Sequence, residues 1–156
     1  IAKVCLDGRE VSSTYVRGCV EKGDMRLAEK LLGMPYPVLG TVGKGNQLGR
    51  NLGFPTVNLL PRESKLLPPN GVYFSQVRHR GRLYRAISNV GYKPTVTEQR
   101  VMGLESYLYD FQEDIYGEPI EVSLLEYSRP ERRFESVEAL RGQLEKDIKA
   151  GAAYQK

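Results

Sequence analysis

The order of residues predicts a mainly β domain, an antiparallel barrel or sandwich, with helices at both ends. Three observations carry this. Six short runs rich in Val, Ile, Leu and Tyr occupy the middle of the chain, with glycine, proline and asparagine between them. No helical pattern intervenes, which excludes a parallel βαβ sheet. The ten tyrosines suit half-buried strand surfaces.

The elements follow in order. Ser12 and Ser13 are N-cap residues ahead of Val16, Cys19 and Val20 at helical spacing, and Gly23 stops that helix. Asp24 caps a second helix with Ala28, Leu31 and Leu32 on its apolar face, ended by Gly33 and Pro35. With little apolar surface beside them, the two helices read as the tail of a preceding domain, over residues 1–33. The chain opens on Ile1, so it reads as a piece of something longer. The expected strands are Tyr36–Val42, Thr56–Leu60, Val72–Arg80, Arg82–Val90, Glu105–Tyr109 and Ile120–Tyr127, with a hairpin around Gly81. Ser136 then caps a last helix, whose Val137, Leu140, Leu144 and Ile148 form one face that packs on the barrel.

Composition narrows the function. A chain of 156 residues with 40% hydrophobic and 27% charged residues can bury one core without staples. No apolar stretch spans a bilayer and no leader pattern is present, so the expected setting is cytoplasmic with no membrane partner. Cys5 and Cys19 read as reduced packing residues. His79, in Arg78-His79-Arg80-Gly81-Arg82, reads as an exposed turn residue. These leave no zinc spacing and no Ser-His-Asp or Cys-His centre. The net charge of +4 suits an anionic partner, or simply solubility.

The chemistry concentrates in Gly43-Lys44-Gly45-Asn46-Gln47-Leu48-Gly49-Arg50-Asn51-Leu52-Gly53-Phe54-Pro55-Thr56-Val57-Asn58. Gly43, Gly45, Gly49 and Gly53 make either a mobile surface loop or a backbone cradle for phosphate, with Lys44 and Arg50 adding positive charge. It is neither a Walker A loop nor a dinucleotide fingerprint. Thr56 and Asn58 share one strand face. They are either two solvated polar residues or neutral ligands for a magnesium ion held mainly by phosphates and water. Glu105 shares a face with Tyr107 and Tyr109, as a general base or as a lysine's partner. Asp110, Glu113 and Asp114 are acidic turn residues or a metal cluster. Arg129, Arg132 and Arg133 are a phosphate clamp or a solvated connection.

Together these segments resemble the riboflavin kinase domain from Pro35 to about Ala150. The resemblance rests on Gly49 to Asn58, then Asn70-Gly71-Val72-Tyr73, Asn89-Val90-Gly91-Tyr92-Lys93-Pro94-Thr95, Glu105 to Phe111, Asp114-Ile115-Tyr116-Gly117, and Arg129-Pro130-Glu131 with Phe134, all in the family's order. Val11 to Arg17, Gly23-Asp24 and Ala28 to Gly33 resemble the closing motif of the adenylyltransferase domain in bacterial bifunctional riboflavin kinase/FAD synthetases. The resemblance implies a six-stranded antiparallel Greek-key barrel over residues 34–156 with a C-terminal helix. It implies transfer of the ATP γ-phosphate to the terminal ribityl hydroxyl of riboflavin, giving FMN and ADP. Thr56 and Asn58 would ligate Mg²⁺. Gly43, Gly45, Gly49, Arg50, Gly53 and Tyr116 would bind the nucleotide, Glu105 would be the base, and Arg129 and Tyr107 would lie near the flavin. The partners implied are these substrates and an upstream adenylyltransferase domain, with no nucleic acid. By itself the chain is expected not to make FAD. Ser128 departs from the apolar residue usual before Arg129. The alternative is a non-enzymatic basic barrel that stacks single-stranded nucleic acid on its aromatics.

Overall fold

The computed structural model describes residues 4–45, 48–94 and 100–156. Asn46 and Gln47 of the glycine segment, and Thr95 of the segment beginning at Asn89, lie outside the described residues. The chain opens with a two-stranded ribbon, β1 Cys5–Leu6 and β2 Arg9–Glu10, which the sequence pattern did not predict. Helices α1 Ser13–Glu21 and α2 Met25–Leu32 follow. Ser12 Oγ accepts from the Tyr15 amide and Asp24 Oδ1 from the Leu27 amide, so each cap satisfies a helix-terminal donor. Gly33 ends α2 with φ of +74°, the left-handed position that glycine takes without strain.

These helices have more apolar surface than the sequence reading allowed. Cys19, Val20, Met25 and Ala28 are buried in one cluster with the barrel residues Tyr36, Val38 and Leu124. Arg26 Nη2 donates to Glu126 Oε2 of the barrel wall at 2.6 Å. The apolar stripe looked thin because part of what it packs against, around Leu124 and Glu126, lies about a hundred residues away in sequence. Cys5, expected to pack, is exposed, while Cys19 is buried.

Six strands close the barrel: β3 Tyr36–Gly43, β4 Thr56–Pro61, β5 Gly71–His79, β6 Arg82–Pro94, β7 Arg100–Leu108 and β8 Pro119–Arg129. Around the barrel the order is β3-β4-β7-β6-β5-β8, and every pair is antiparallel. Closure leaves no unpaired edge. The β5–β6 hairpin turns at Arg80 and Gly81, both with positive φ, which matches the twist of the strands. Alternation puts Val38, Leu59, Tyr73, Val77, Val90, Leu104, Val122 and Leu124 inside. The interior polar groups satisfy one another: Ser88 Oγ bonds Ser75 Oγ at 2.8 Å and Ser106 Oγ at 2.6 Å, across β5, β6 and β7.

Helix α3 Leu48–Asn51 is a single turn between β3 and β4, inside the segment expected to be a loop. Helix α4 Val137–Ala153 begins at the Ser136 cap and lies on the outer face of β6. Its C-terminal end is held by Arg85, whose Nη2 donates to the carbonyls of Gly151 and Ala152 at 2.8 and 2.6 Å, and by Tyr109 Oη, which donates to the Ile148 carbonyl at 2.6 Å. Burial pushes the Tyr109 phenol up to about 12, so it stays a donor throughout the neutral range. Gly151 is the contact point: a Cβ there would stand 2.6 Å from Ile87 Cδ1.

Candidate active site

Register brings the candidate residues of distant segments together on the outer wall of the barrel. On β4, Leu59 points inward, so Thr56 and Asn58 point outward. On β7, Leu104, Ser106 and Leu108 are buried inside, so Glu105 and Tyr107 face outward beside them. Thr56 stands opposite Tyr107 and Asn58 opposite Glu105. The Thr56 hydroxyl donates to Glu105 Oε1 at 2.7 Å. Sequence alone left open whether Glu105 shares a cleft with Thr56, and it does.

Two cavities meet at Thr56. The first, of about 300 Å³, lies under the glycine segment and touches Gly43, Gly45, Arg50, Thr56, Asn58 and Tyr116. The Lys44 ammonium sits 5.5 Å from the centre of the Tyr116 ring. Gly45 presses against the Asn58 amide so closely that a Cβ would overlap it. The Tyr116 loop is shaped by Asp114, whose Oδ1 accepts from the Tyr116 amide at 3.2 Å, and by Gly117 at φ of +80°. Asp110, Glu113 and Asp114 do not converge on a metal site: among the described residues no group of three His, Cys, Asp or Glu side chains could hold an ion.

The second cavity, of about 350 Å³, is walled by Phe54, Ile87, Tyr107, Leu140, Leu144 and Ile148, with Thr56, Glu105, Asn89 and Arg129 also reaching it. Gly49 borders this cavity rather than the first, pressed against the Phe54 carbonyl. Gly53 borders neither, and its φ of +87° serves the turn into β4. The Tyr107 ring meets Phe54 and Tyr109 edge-on at 6.5 and 5.3 Å. Arg129 is held by α4: its Nε and Nη2 donate to the two carboxylate oxygens of Asp147 at 2.8 and 2.5 Å, and Gln143 Nε2 joins at 2.9 Å. This fork locks α4 against the end of β8, so the last helix is a wall of the cavity as well as a cover for the barrel.

The sequence reading missed Ile87, Asn89, Asp147 and the α4 residues as site components. Cross-strand register was the signal that could have found Asn89, since a strand placed beside Glu105 must offer a neighbour to it. His79 needs correction. It ends β5 rather than sitting in the turn, and it is 3% exposed. Its Nε2 donates to Glu118 Oε2 at 2.6 Å, and Arg80 Nη2 donates to Glu118 Oε1 at 2.8 Å. The basic run around it concealed that alternation turns His79 inward, towards the edge of Phe111. The hydrogen bond from His79, ahead of the charge of Arg80, holds the Glu118 carboxyl below its usual value.

A closed six-stranded barrel thus carries two cavities on its outer wall that share Thr56, with Glu105 beside it in the second. Comparison with known proteins gives the family. The model described as "Flavokinase: Riboflavin kinase" matches residues 32–155, and the chain belongs to that family. Among relatives, it is 36% identical over 156 residues to the bifunctional riboflavin kinase/FMN adenylyltransferase of Bacillus subtilis, covering 99% of this chain and 49% of that protein. It is 40% identical over 152 residues to the protein of that name from Haemophilus influenzae, covering 96% and 48%. The chain thus spans about half the length of the curated relatives it matches. A solved structure from Streptococcus pneumoniae, described as a macrolide-efflux protein, superposes with a TM-score of 0.89 at 34% identity, over 99% of this chain and 51% of that one. Riboflavin kinase from Trypanosoma brucei shares the fold, with a TM-score of 0.51 at 21% identity over 76% of this chain and 78% of that one. Among the described residues no helix is long and apolar enough to cross a membrane.

Proposed function

We propose that the chain transfers the γ-phosphate of ATP to the terminal ribityl hydroxyl of riboflavin, giving FMN and ADP. The observation that carries this is the Thr56–Glu105 hydrogen bond at the junction of the cavities. The first cavity, with its backbone amides, Lys44, Arg50 and the Tyr116 ring, suits a nucleotide. The second, mostly apolar with a carboxylate at one end, suits a flat aromatic body whose polar tail points at Glu105.

Phosphoryl transfer asks for alignment and charge neutralisation more than for covalent catalysis. Glu105 accepts the proton of the attacking hydroxyl. Thr56 fixes that carboxylate through the hydrogen bond it donates, and Tyr107 and Phe54 confine the acceptor body. Arg50, Lys44, Gly43 and Gly45 border the phosphates.

The donor set also fits Mg²⁺. The Thr56 hydroxyl donates its hydrogen bond to Glu105, which leaves the oxygen's lone pairs for a cation, and the Asn58 amide is held beside it by Gly45. Two neutral oxygens suit an ion held mainly by phosphates and water. Held by Thr56 and Asn58, such an ion would supply positive charge beside the phosphates. Residues 1–33 read as the end of an adenylyltransferase domain, by likeness to the bifunctional relatives. A cytoplasmic setting suits this chemistry.

The test is direct. Incubated with riboflavin and MgATP, the chain should yield FMN and ADP in equal amounts, separated chromatographically. Salt-dependent RNA binding with no ATP turnover would favour the nucleic-acid reading, and ATP turnover without FMN would overturn riboflavin as the acceptor.

A further inference from the structure

Asn89 lies in β6 directly opposite Glu105 of β7, and Glu105 lies opposite Asn58 of β4. Ser88 and Val90 are fully buried inside the barrel, so Asn89 faces outward with the other two. One rung of the sheet thus carries Asn58, Glu105 and Asn89 in a row across three strands.

The amide of Asn89 has a fixed orientation. Its Nδ2 donates to Glu131 Oε1 at 3.0 Å. An ionised carboxylate only accepts, so the carbonyl end of the amide cannot take that place. Glu131 is itself held, by Asn70 Nδ2 at 3.4 Å and by lying over Gly91, where a Cβ would overlap its carboxylate. The consequence falls on Asn89 Oδ1. Among the described residues it is the buried side-chain polar atom that has no hydrogen-bond partner. A buried acceptor left unpaired is costly, and native proteins retain one where something else gains from it. Asn89 lines the second cavity, beside Glu105.

We infer that Asn89 Oδ1 accepts a hydrogen bond from a second hydroxyl of the acceptor substrate, the one next to the hydroxyl that faces Glu105. Asn89 then sets specificity for a polyhydroxylated chain, and Glu131 orients it. The inference rests on reading the second cavity as the acceptor side. Paired residues on adjacent strands have Cα atoms about 5 Å apart, close enough for two side chains to reach neighbouring hydroxyls of one carbon chain. An acceptor already withdrawn from bulk water loses no hydration when the hydroxyl arrives. A substrate lacking that hydroxyl leaves it unpaired, which is how hydrogen-bonding sites reject such analogues strongly.

The experiment compares riboflavin with an analogue lacking the hydroxyl next to the terminal one, on the wild-type chain and on Asn89→Leu. Binding is read by quenching of flavin fluorescence without nucleotide, and turnover by kcat/KM with MgATP. Wild type should prefer riboflavin about ten- to a hundred-fold, and Asn89→Leu should reduce the preference to about twofold or less. Its thermal midpoint should change little, because leucine removes the unpaired carbonyl together with the exposed hydrogen bond to Glu131. If Asn89→Leu does not fold, Asn89→Ser serves for the same comparison. A variant that keeps the full preference overturns the inference, and so does one that loses thermal stability with the preference intact. A wild-type chain that binds no riboflavin overturns the functional reading as well. One that binds and phosphorylates riboflavin while the variant's preference is unchanged overturns this assignment alone.

Discussion

The cavity under the glycine segment takes its walls from neighbouring stretches of chain: Gly43 to Asn58 on one side and Phe111 to Tyr116 on the other. The cavity beyond Thr56 takes its walls from side chains of β6, β7, β8 and α4, spread from Ile87 to Ile148. In the first, backbone comes close to the ligand space and glycines leave room for it. In the second, packed apolar side chains and the Arg129–Asp147 fork set the shape. A local segment can be altered with small structural cost and a large effect on what it binds. A wall made of packed elements resists change until a link between elements fails, and then it fails as a unit.

The two cavities meet at Thr56, which donates to Glu105, and the largest effect should fall on that carboxylate. Glu105→Gln keeps shape and hydrogen-bonding reach but removes the basicity. Single-turnover rate should fall by about 10²- to 10⁴-fold, with riboflavin affinity changed far less. A folded variant with near-normal rate would show that the cavities are joined by a structural residue instead.

Next is the link that holds the second wall. Asp147→Ala leaves the Arg129 guanidinium without its carboxylate in a place where the two side chains are 18% and 8% exposed. Stability should fall by about 3 kcal/mol, the low end for breaking a buried pair, because Arg129 retains some access to water. Denaturant unfolding measures this. Riboflavin binding should weaken in the folded fraction, while binding of MgADP should not change.

Gly45→Ala should show the converse. Its Cβ displaces the Asn58 side chain, a flexible neighbour, so the thermal midpoint should move little. KM for MgATP should rise about tenfold, as for loss of an oriented metal ligand, and riboflavin affinity should hold. An equal loss on both sides would mean that the cavities are not separable.

The smallest effect concerns the support behind the Tyr116 loop. The Glu118 carboxyl is held below its usual value, first by the hydrogen bond from His79. A lowered carboxylate pKa gives stability that is complete above the unfolded value and disappears as pH falls through the folded one. The thermal midpoint of Glu118→Gln should therefore lie below that of wild type near neutrality, and the gap should close as pH is taken from about 7 to about 3. A gap that stays constant with pH would assign the loss to packing rather than to charge.

Much of the lining of the first cavity was readable before the fold was known. Gly43 to Gly53 leading into Pro55-Thr56-Val57-Asn58 is contiguous, so spacing alone places two neutral oxygens on one strand face beside a flexible backbone. The caps Ser12, Asp24 and Ser136 were equally local, and each begins its helix in the structure. The strand runs were also legible, because alternation at period two records which side is buried.

What escaped depends on partners far along the chain. His79 sits among arginines in sequence, yet strand alternation turns it inward to Glu118, 39 residues on. The apolar face of α2 looked thin because its partners on β3 and β8 are invisible until the barrel closes. Asn89 looks like an ordinary strand asparagine until register sets it beside Glu105 and Glu131 takes one end of its amide. By itself the sequence determined the fold class, the caps that begin α1, α2 and α4, and the shared strand face of Thr56 and Asn58, since these rest on interactions among near neighbours. Only the tertiary structure decided that Glu105 meets Thr56, that α4 walls the second cavity and that one amide oxygen of Asn89 remains unpaired. Closure of the barrel fixes the register of every strand, and register sets which distant side chains stand within hydrogen-bonding reach.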